Sequence, residues 1–149
     1  ASAHETPTLV TALANQFGSQ SVVVSVDVKK DWLGRAHVHI QNGKKNTGVD
    51  PLVYAKRMEE LGAGELIIQS IDRDGVGKGY DLELIEQVAP DLKIPIVALG
   101  GAGNITDFAK AKQAGASAVA AGSLFVFKGP HKAVLISYPT PKELKNLNA

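Results

Sequence analysis

Four apolar runs in this sequence each end in residues that could do chemistry. Asp27 closes SVVVSVDV, and Asp72 and Asp74 follow ELIIQSI. Gly100, Gly101 and Gly103 follow IPIVAL, and Gly122 and Ser123 follow SAVAA. Where parallel strands alternate with helices, ligands bind beyond the carboxyl ends of the strands. These residues would therefore share one rim. Acids and glycine-rich turns on one rim suit proton transfer on a phosphorylated substrate.

A phosphate is held best by several backbone N–H groups converging on it, and side chains obstruct that approach. The GGAG turn, ahead of a helix at Thr106, offers amides and the positive end of a helix dipole. Gly122 and Ser123 add further amides and a hydroxyl. Chain reversal alone would also explain either turn, but two such turns after consecutive strands favour phosphate. Asp27, facing the mouth of the sheet, could shuttle protons if partial burial lifts its pKa. Its alternatives are a helix cap or a salt bridge with Lys29 or Lys30. Asp72 and Asp74 are two apart, a spacing that turns both side chains the same way on an extended segment. An Asp before Gly is also ordinary turn chemistry. GKKNTG lacks the P-loop spacing and reads as a mobile loop, with Lys44 or Lys45 placed to reach a phosphate. His37 and His39 alternate on one strand face but have no third metal ligand nearby, so they read as surface residues.

These residues need elements to position them. Thr6 and Pro7 read as the N-cap and first position of a helix running through Leu9, Val10, Leu13 and Phe17 to Gly18. Residues 21–28 read as a buried strand, and RAHVHIQ alternates like a hairpin strand. Trp32 and Leu33 are expected to pack in the loop between them. Asp50 and Pro51 open a helix that stops at Gly62. Strands over 65–71, 94–100 and 117–123 then alternate with helices over 80–89 and 106–114. A short helix is expected around Lys132 to Ile136, in a tail punctuated by Pro130, Pro139 and Pro141. Such alternation means an α/β fold with a parallel sheet. A flavodoxin-like open sheet and part of a (β/α)8 barrel both fit. No linker divides the chain, so 1–149 reads as a single domain.

The bulk properties exclude more than they assign. A length of 149 residues suits one domain with a real core. Sixteen Lys and Arg against 15 Asp and Glu leave no basic footprint for nucleic acid. The absence of cysteine rules out disulfides, thiolate metal sites and cysteine nucleophiles. No run approaches the ~20 apolar residues of a membrane span, and ASAHETP is not a signal peptide. A soluble cytoplasmic protein is the expectation. The sole methionine is Met58, so the chain is expected to be processed, tagged or cut from something longer.

Together SVDVKK, GKKNTG, GAGELIIQSIDRDGVGKGYD, LGGAGNITDF and AAGSLFVF resemble the cyclase subunit of imidazole glycerol phosphate synthase, from about Thr6 to Phe127. The resemblance implies a (β/α)8 TIM barrel, with this chain its C-terminal half: strands five to eight, preceded by the fourth helix. It implies a lyase of histidine biosynthesis that takes ammonia from a glutaminase subunit through the barrel interior. The ammonia is added to a phosphoribulosyl formimino aminoimidazole carboxamide ribonucleotide. The products are imidazole glycerol phosphate and aminoimidazole carboxamide ribonucleotide. Two aspartates act as general acid and base in that family. Asp27 matches one, and the other has no counterpart here. Asp74, Gly75, Gly101, Ala102, Gly122 and Ser123 match substrate-phosphate contacts. Glu65 matches a charged residue at the ammonia gate, at the opposite end of the barrel. Gln69 stands where a threonine is common. Neither cofactor nor metal is implied.

The tail FKGPHKAVLISYP is more similar to a paralogous branch that supplies ammonia for acetamidino sugars of surface polysaccharides. Half a barrel would also have bare sheet edges. The expected resolutions are an N-terminal half on another chain, two halves pairing, or a gene fragment. Alone, the chain is expected to be inactive: a phosphate-binding half-barrel that self-associates because no antiparallel strand caps its four parallel ones.

Overall fold

The computed structural model describes residues 2–129 and 131–145. Pro130 of the tail and the ends of the expected 1–149 domain, residues 1 and 146–149, lie outside the described residues. A short helix α1 (Ser2–Glu5) leads into α2 (Thr8–Phe17). Then come β1 (Val23–Lys30), a hairpin of β2 (Ala36–Ile40) and β3 (Lys45–Asn46), and α3 (Pro51–Glu60). Next are β4 (Glu65–Ser70), α4 (Leu82–Val88), β5 (Ile96–Leu99), α5 (Thr106–Gln113) and β6 (Ala118–Ala120). The tail holds α6 (Ser123–Val126), β7 (Phe127–Lys128), β8 (Ala133–Val134) and α7 (Pro141–Lys145).

The main sheet has the order β3-β2-β1-β4-β5-β6. Strands β1, β4, β5 and β6 run parallel, as helical crossovers require. Strand β2 lies antiparallel on Asp27–Lys30 of β1. This corrects the expectation that no antiparallel strand caps the parallel four. The alternating RAHVHIQ run folds back onto the carboxyl half of β1, and among the described residues Val23 to Val26 stay unpaired on that side.

Period-2 alternation sorts the sheet into two faces. Val24, Val26 and Val28, Leu66 and Ile68, and Ile96 and Ala98 are buried under the helices. Helix α3 meets them with Tyr54, Ala55 and Met58, at the three- and four-residue spacing of a helix face. Leu84, Ile85 and Val88 of α4 and Phe108 and Ala111 of α5 complete this layer. The opposite face carries Val23, Ser25 and Asp27, then Glu65, Ile67 and Gln69, then Val97 and Leu99, and none of these is fully buried. Helices cover one face of a parallel sheet and the other is bare. Covered-outside, bare-inside is the layout of part of a (β/α)8 barrel.

Several local expectations need correction. Helix α2 begins at Thr8 without a side-chain cap. The Thr6 amide instead donates to Ser2 O of the preceding helical turn at 2.8 Å. No helix spans Lys132 to Ile136. Gly129 and Lys132 both take positive φ, 71° and 48°, and turn the chain into the β7–β8 hairpin. The run after the turn contains β-branched Val134 and Ile136, which suits a strand. Trp32 does not pack: it is 89% exposed, and Leu33 is exposed beside it. Their turn is held instead by Asp31, whose carboxylate accepts the Leu33 and Arg35 amides, each at 2.9 Å.

Candidate active site

Asp27 sits near the carboxyl end of β1, on the bare face, in register with Gln69 of β4. Among the described residues its carboxylate has no hydrogen bond or ion pair. The alternative salt bridge with Lys30 is not made, because Lys30 Nζ reaches Glu83 at 2.6 Å and Asp81 at 3.6 Å. The Glu83 hydrogen bond holds the Lys30 ammonium above its ordinary pKa. Asp27 is thus a half-buried acid whose oxygens are free for a ligand.

Asp72 and Asp74 part ways. The segment after β4 is turned rather than extended, with the Asp74 amide donating to Ser70 O at 3.1 Å, so the two side chains do not face the same way. Asp72 Oδ2 accepts the Lys30 amide at 2.8 Å and braces β1 against this loop. Asp74 Oδ2 accepts from Gln69 Nε2 at 3.3 Å. Asp74 and Gln69 thus connect the rim to the row that holds Asp27.

All six residues expected to contact phosphate line one small cleft. Asp74 and Gly75 come from the loop after β4, Gly101 and Ala102 from the loop after β5, and Gly122 and Ser123 from the turn after β6. The glycines have a steric cause. A Cβ at Gly101 would lie 2.3 Å from Gly79 O, and one at Gly103 would lie 2.0 Å from Gly77 O. The two loops therefore pack backbone against backbone, joined by Gly79 N–H donating to Gly101 O at 2.8 Å. The amides are divided between structure and cleft. Gly103 and Asn104 donate to Asp107 Oδ2 at 3.0 and 3.1 Å. The start of α5 is therefore occupied by its own aspartate, against the expectation that it faces the phosphate. The amides of Gly101, Ala102, Gly122 and Ser123 donate to no acceptor among the described residues. Free N–H groups gathered at one cleft are the components from which backbone anion nests are built.

Two supporting residues escaped the sequence reading. Asp107 is buried in the first turn of α5 and ties down the GGAG loop. An Asp following the glycines in a first helical turn was the available signal. Tyr80 donates from its hydroxyl to Ala120 O at 2.9 Å, fixing the last strand beside the cleft. Burial, reinforced by the Asp107 charge, pushes its pKa up to about 12, so it remains a neutral donor.

Glu65 lies at the other end of the same face, in register with Val23. Asp27 lies four residue steps along β1 from Val23, about 13 Å of strand. His37 and His39 are half-buried rather than on the surface. His37 Nε2 lies 3.4 Å from Asp31 Oδ2, and His39 Nδ1 lies 3.0 Å from His37 O. Among the described residues no group of three or more His, Asp or Glu is placed to hold a metal, and no helix is long and apolar enough to cross a membrane.

The family model described as histidine biosynthesis protein matches residues 1–131 of this sequence. The chain belongs to that family. It is 52% identical over 123 residues to the imidazole glycerol phosphate synthase subunit HisF of Pyrobaculum aerophilum, covering 82% of this chain and 48% of the relative. It is 48% identical over 137 residues to a provisionally named imidazole glycerol phosphate synthase subunit, hisF2, of Pseudomonas aeruginosa, covering 91% of this chain and 55% of the relative. The subunit HisF of Alkaliphilus metalliredigens is 45% identical over 125 residues, covering 83% of this chain and 50% of the relative. The chain thus spans about half the length of the curated relatives it matches.

Proposed function

We propose that this chain is the C-terminal half of an imidazole glycerol phosphate synthase cyclase subunit. In the complete barrel, a lyase, ammonia from a glutaminase subunit attacks the ribonucleotide. The products are imidazole glycerol phosphate and aminoimidazole carboxamide ribonucleotide. Asp27 carries a proton as one of two general acid–base groups, the second belonging to the other half of the barrel. The free amides of Gly101, Ala102, Gly122 and Ser123, with Asp74 and Gly75, hold one substrate phosphate. Glu65 lines the entry for ammonia at the far end. The cytoplasm is the compartment such a complex would occupy.

One observation carries this reading. A free carboxylate and a cleft with free amides lie at the same end of one bare sheet face, and Gln69, in register with Asp27, donates to Asp74 of that cleft. A phosphate fixed in that cleft would bring the rest of the substrate across Asp27, and positioning of that kind supplies much of a catalyst's advantage. The test is an ammonia-dependent cyclase assay on the chain alone and mixed with a separately produced first half of a related barrel. Turnover in the mixture only is the expected outcome. If neither shows turnover and phosphate still binds, a non-catalytic phosphate-binding half-barrel or the acetamidino-sugar paralog becomes the better account. What favours that paralog is the tail FKGPHKAVLISYP, which is more similar to that branch.

A further inference from the structure

The loop between β4 and α4 has two sides. Asp74 and Gly75 line the small cleft described above. Arg73 and Lys78 line a different cleft of about 260 Å³, walled by Gly79 to Glu83 and by Asp107 and Lys110 of α5. The carboxylates of this outer cleft are already engaged. Asp81 accepts the Leu84 amide and neighbours Lys30. Glu83 pairs with Lys30, and Asp107 accepts two loop amides. Its cations are less satisfied. Arg73 is half-buried, yet among the described residues it has no carboxylate partner. Among those residues the guanidinium makes a single hydrogen bond, to Lys78 O, and it is 3.5 Å long. Lys78 has no ion pair among the described residues, and Lys110 is 3.7 Å from Asp107. A guanidinium offers five N–H donors, and a cation drawn out of water is ordinarily paired.

We propose that this outer cleft is a second anion site, one that takes a phosphate dianion, free or as a small monoester. The planar fork of Arg73 matches two phosphate oxygens, and Lys78 and Lys110 neutralise the remaining charge. The site is distinct from the small cleft but shares a wall with it. Arg73 Cβ lies 3.0 Å from where a Gly101 side chain would begin, and Gly79 N–H donates to Gly101 O. The inference does not depend on the catalytic reading, because none of its residues takes part in that chemistry.

The experiment is an amide NMR titration of the chain with inorganic phosphate, then glycerol phosphate, at constant ionic strength. Saturable shifts are expected at Lys78 to Glu83 and at Asp107 to Lys110. They should weaken at least tenfold in Lys78→Ala and partly in Arg73→Lys, which keeps the charge but loses the fork. Lys78 is exposed, so its variant should fold, and the shifts of Gly122 and Ser123 should keep their wild-type midpoint in it. Tighter binding of glycerol phosphate would identify an ester as the ligand, and equal binding would identify the free ion. The proposal is overturned if the outer-cleft shifts do not saturate, if sodium chloride reproduces them, or if both variants bind within twofold of wild type.

Discussion

At the scale of single residues, the structure separates side chains held for shape from those left free for chemistry. Asp72, Asp81 and Asp107 each accept a backbone amide and fix a loop or helix start, whereas among the described residues Asp27 accepts none. Asp27→Asn should therefore change stability by less than about 0.5 kcal/mol, as surface-like substitutions do. In a completed barrel it should lower kcat by ~100-fold or more, the scale of a lost general acid–base group. Urea denaturation and the cyclase assay check the two halves of this statement, and a variant keeping a tenth of wild-type kcat would remove Asp27 from the chemistry. Asp31 offers a pH test. Desolvation pushes its carboxyl up, but the Arg35 amide and guanidinium and the Leu33 amide outweigh this and bring it from 3.8 to about 2. A lowered folded-state pKa means that Asp31 contributes stability above pH 3.8 and loses it as pH falls through about 2. Carboxyl NMR should place its midpoint near that value, and Arg35→Ala should move the midpoint upward.

At the scale of elements, the glycine-rich loop can be probed by substitution. Gly101→Ala would drive a methyl to 2.3 Å from Gly79 O at a φ of 108°. The loops must then separate, at a cost of about 2 kcal/mol or more. Gly34, with a φ of 80° and nothing within 4 Å, is the control: its alanine variant should lose only the left-handed strain, about 1 kcal/mol. Thermal or urea unfolding of the two variants should reproduce that order. The core elements were legible because their signals are local. Asp50 before Pro51 caps α3 by accepting the Leu52 and Val53 amides, and apolar runs bounded by glycine became β4 and β5. What failed depended on tertiary partners. Nothing in DWLG reveals that Trp32 points outward while Asp31 closes the turn. The bond between the Asp107 carboxylate and the GGAG amides exists only once the loop has folded. One local signal went unused: Thr140 and Glu143 form a reciprocal cap on α7, with Glu143 Oε2 accepting the Thr140 amide at 2.7 Å.

At the scale of the whole molecule, the bare face dominates. Val23 is exposed, and Ile67, Val97 and Leu99 are only partly covered, although strands of a parallel sheet are ordinarily buried on both faces. The cores of such sheets close only when a second layer or further strands arrive. The isolated chain should therefore self-associate, or bind a first half-barrel when one is supplied. Sedimentation should find dimers or larger species at micromolar concentration, and a compact monomer would contradict this.

The hairpin on β1 sets how such a closure can proceed. Strand β2 occupies the rungs from Asp27 to Lys30, and only Val23 to Val26 remain open. An incoming strand meets an end-stop after four residues. It can slide no further toward the rim, so its greatest depth of insertion is set before any side chain has been compared. The hairpin thus limits alignment from one side, rejecting staggers of a joining strand that are shifted toward the Asp27 end.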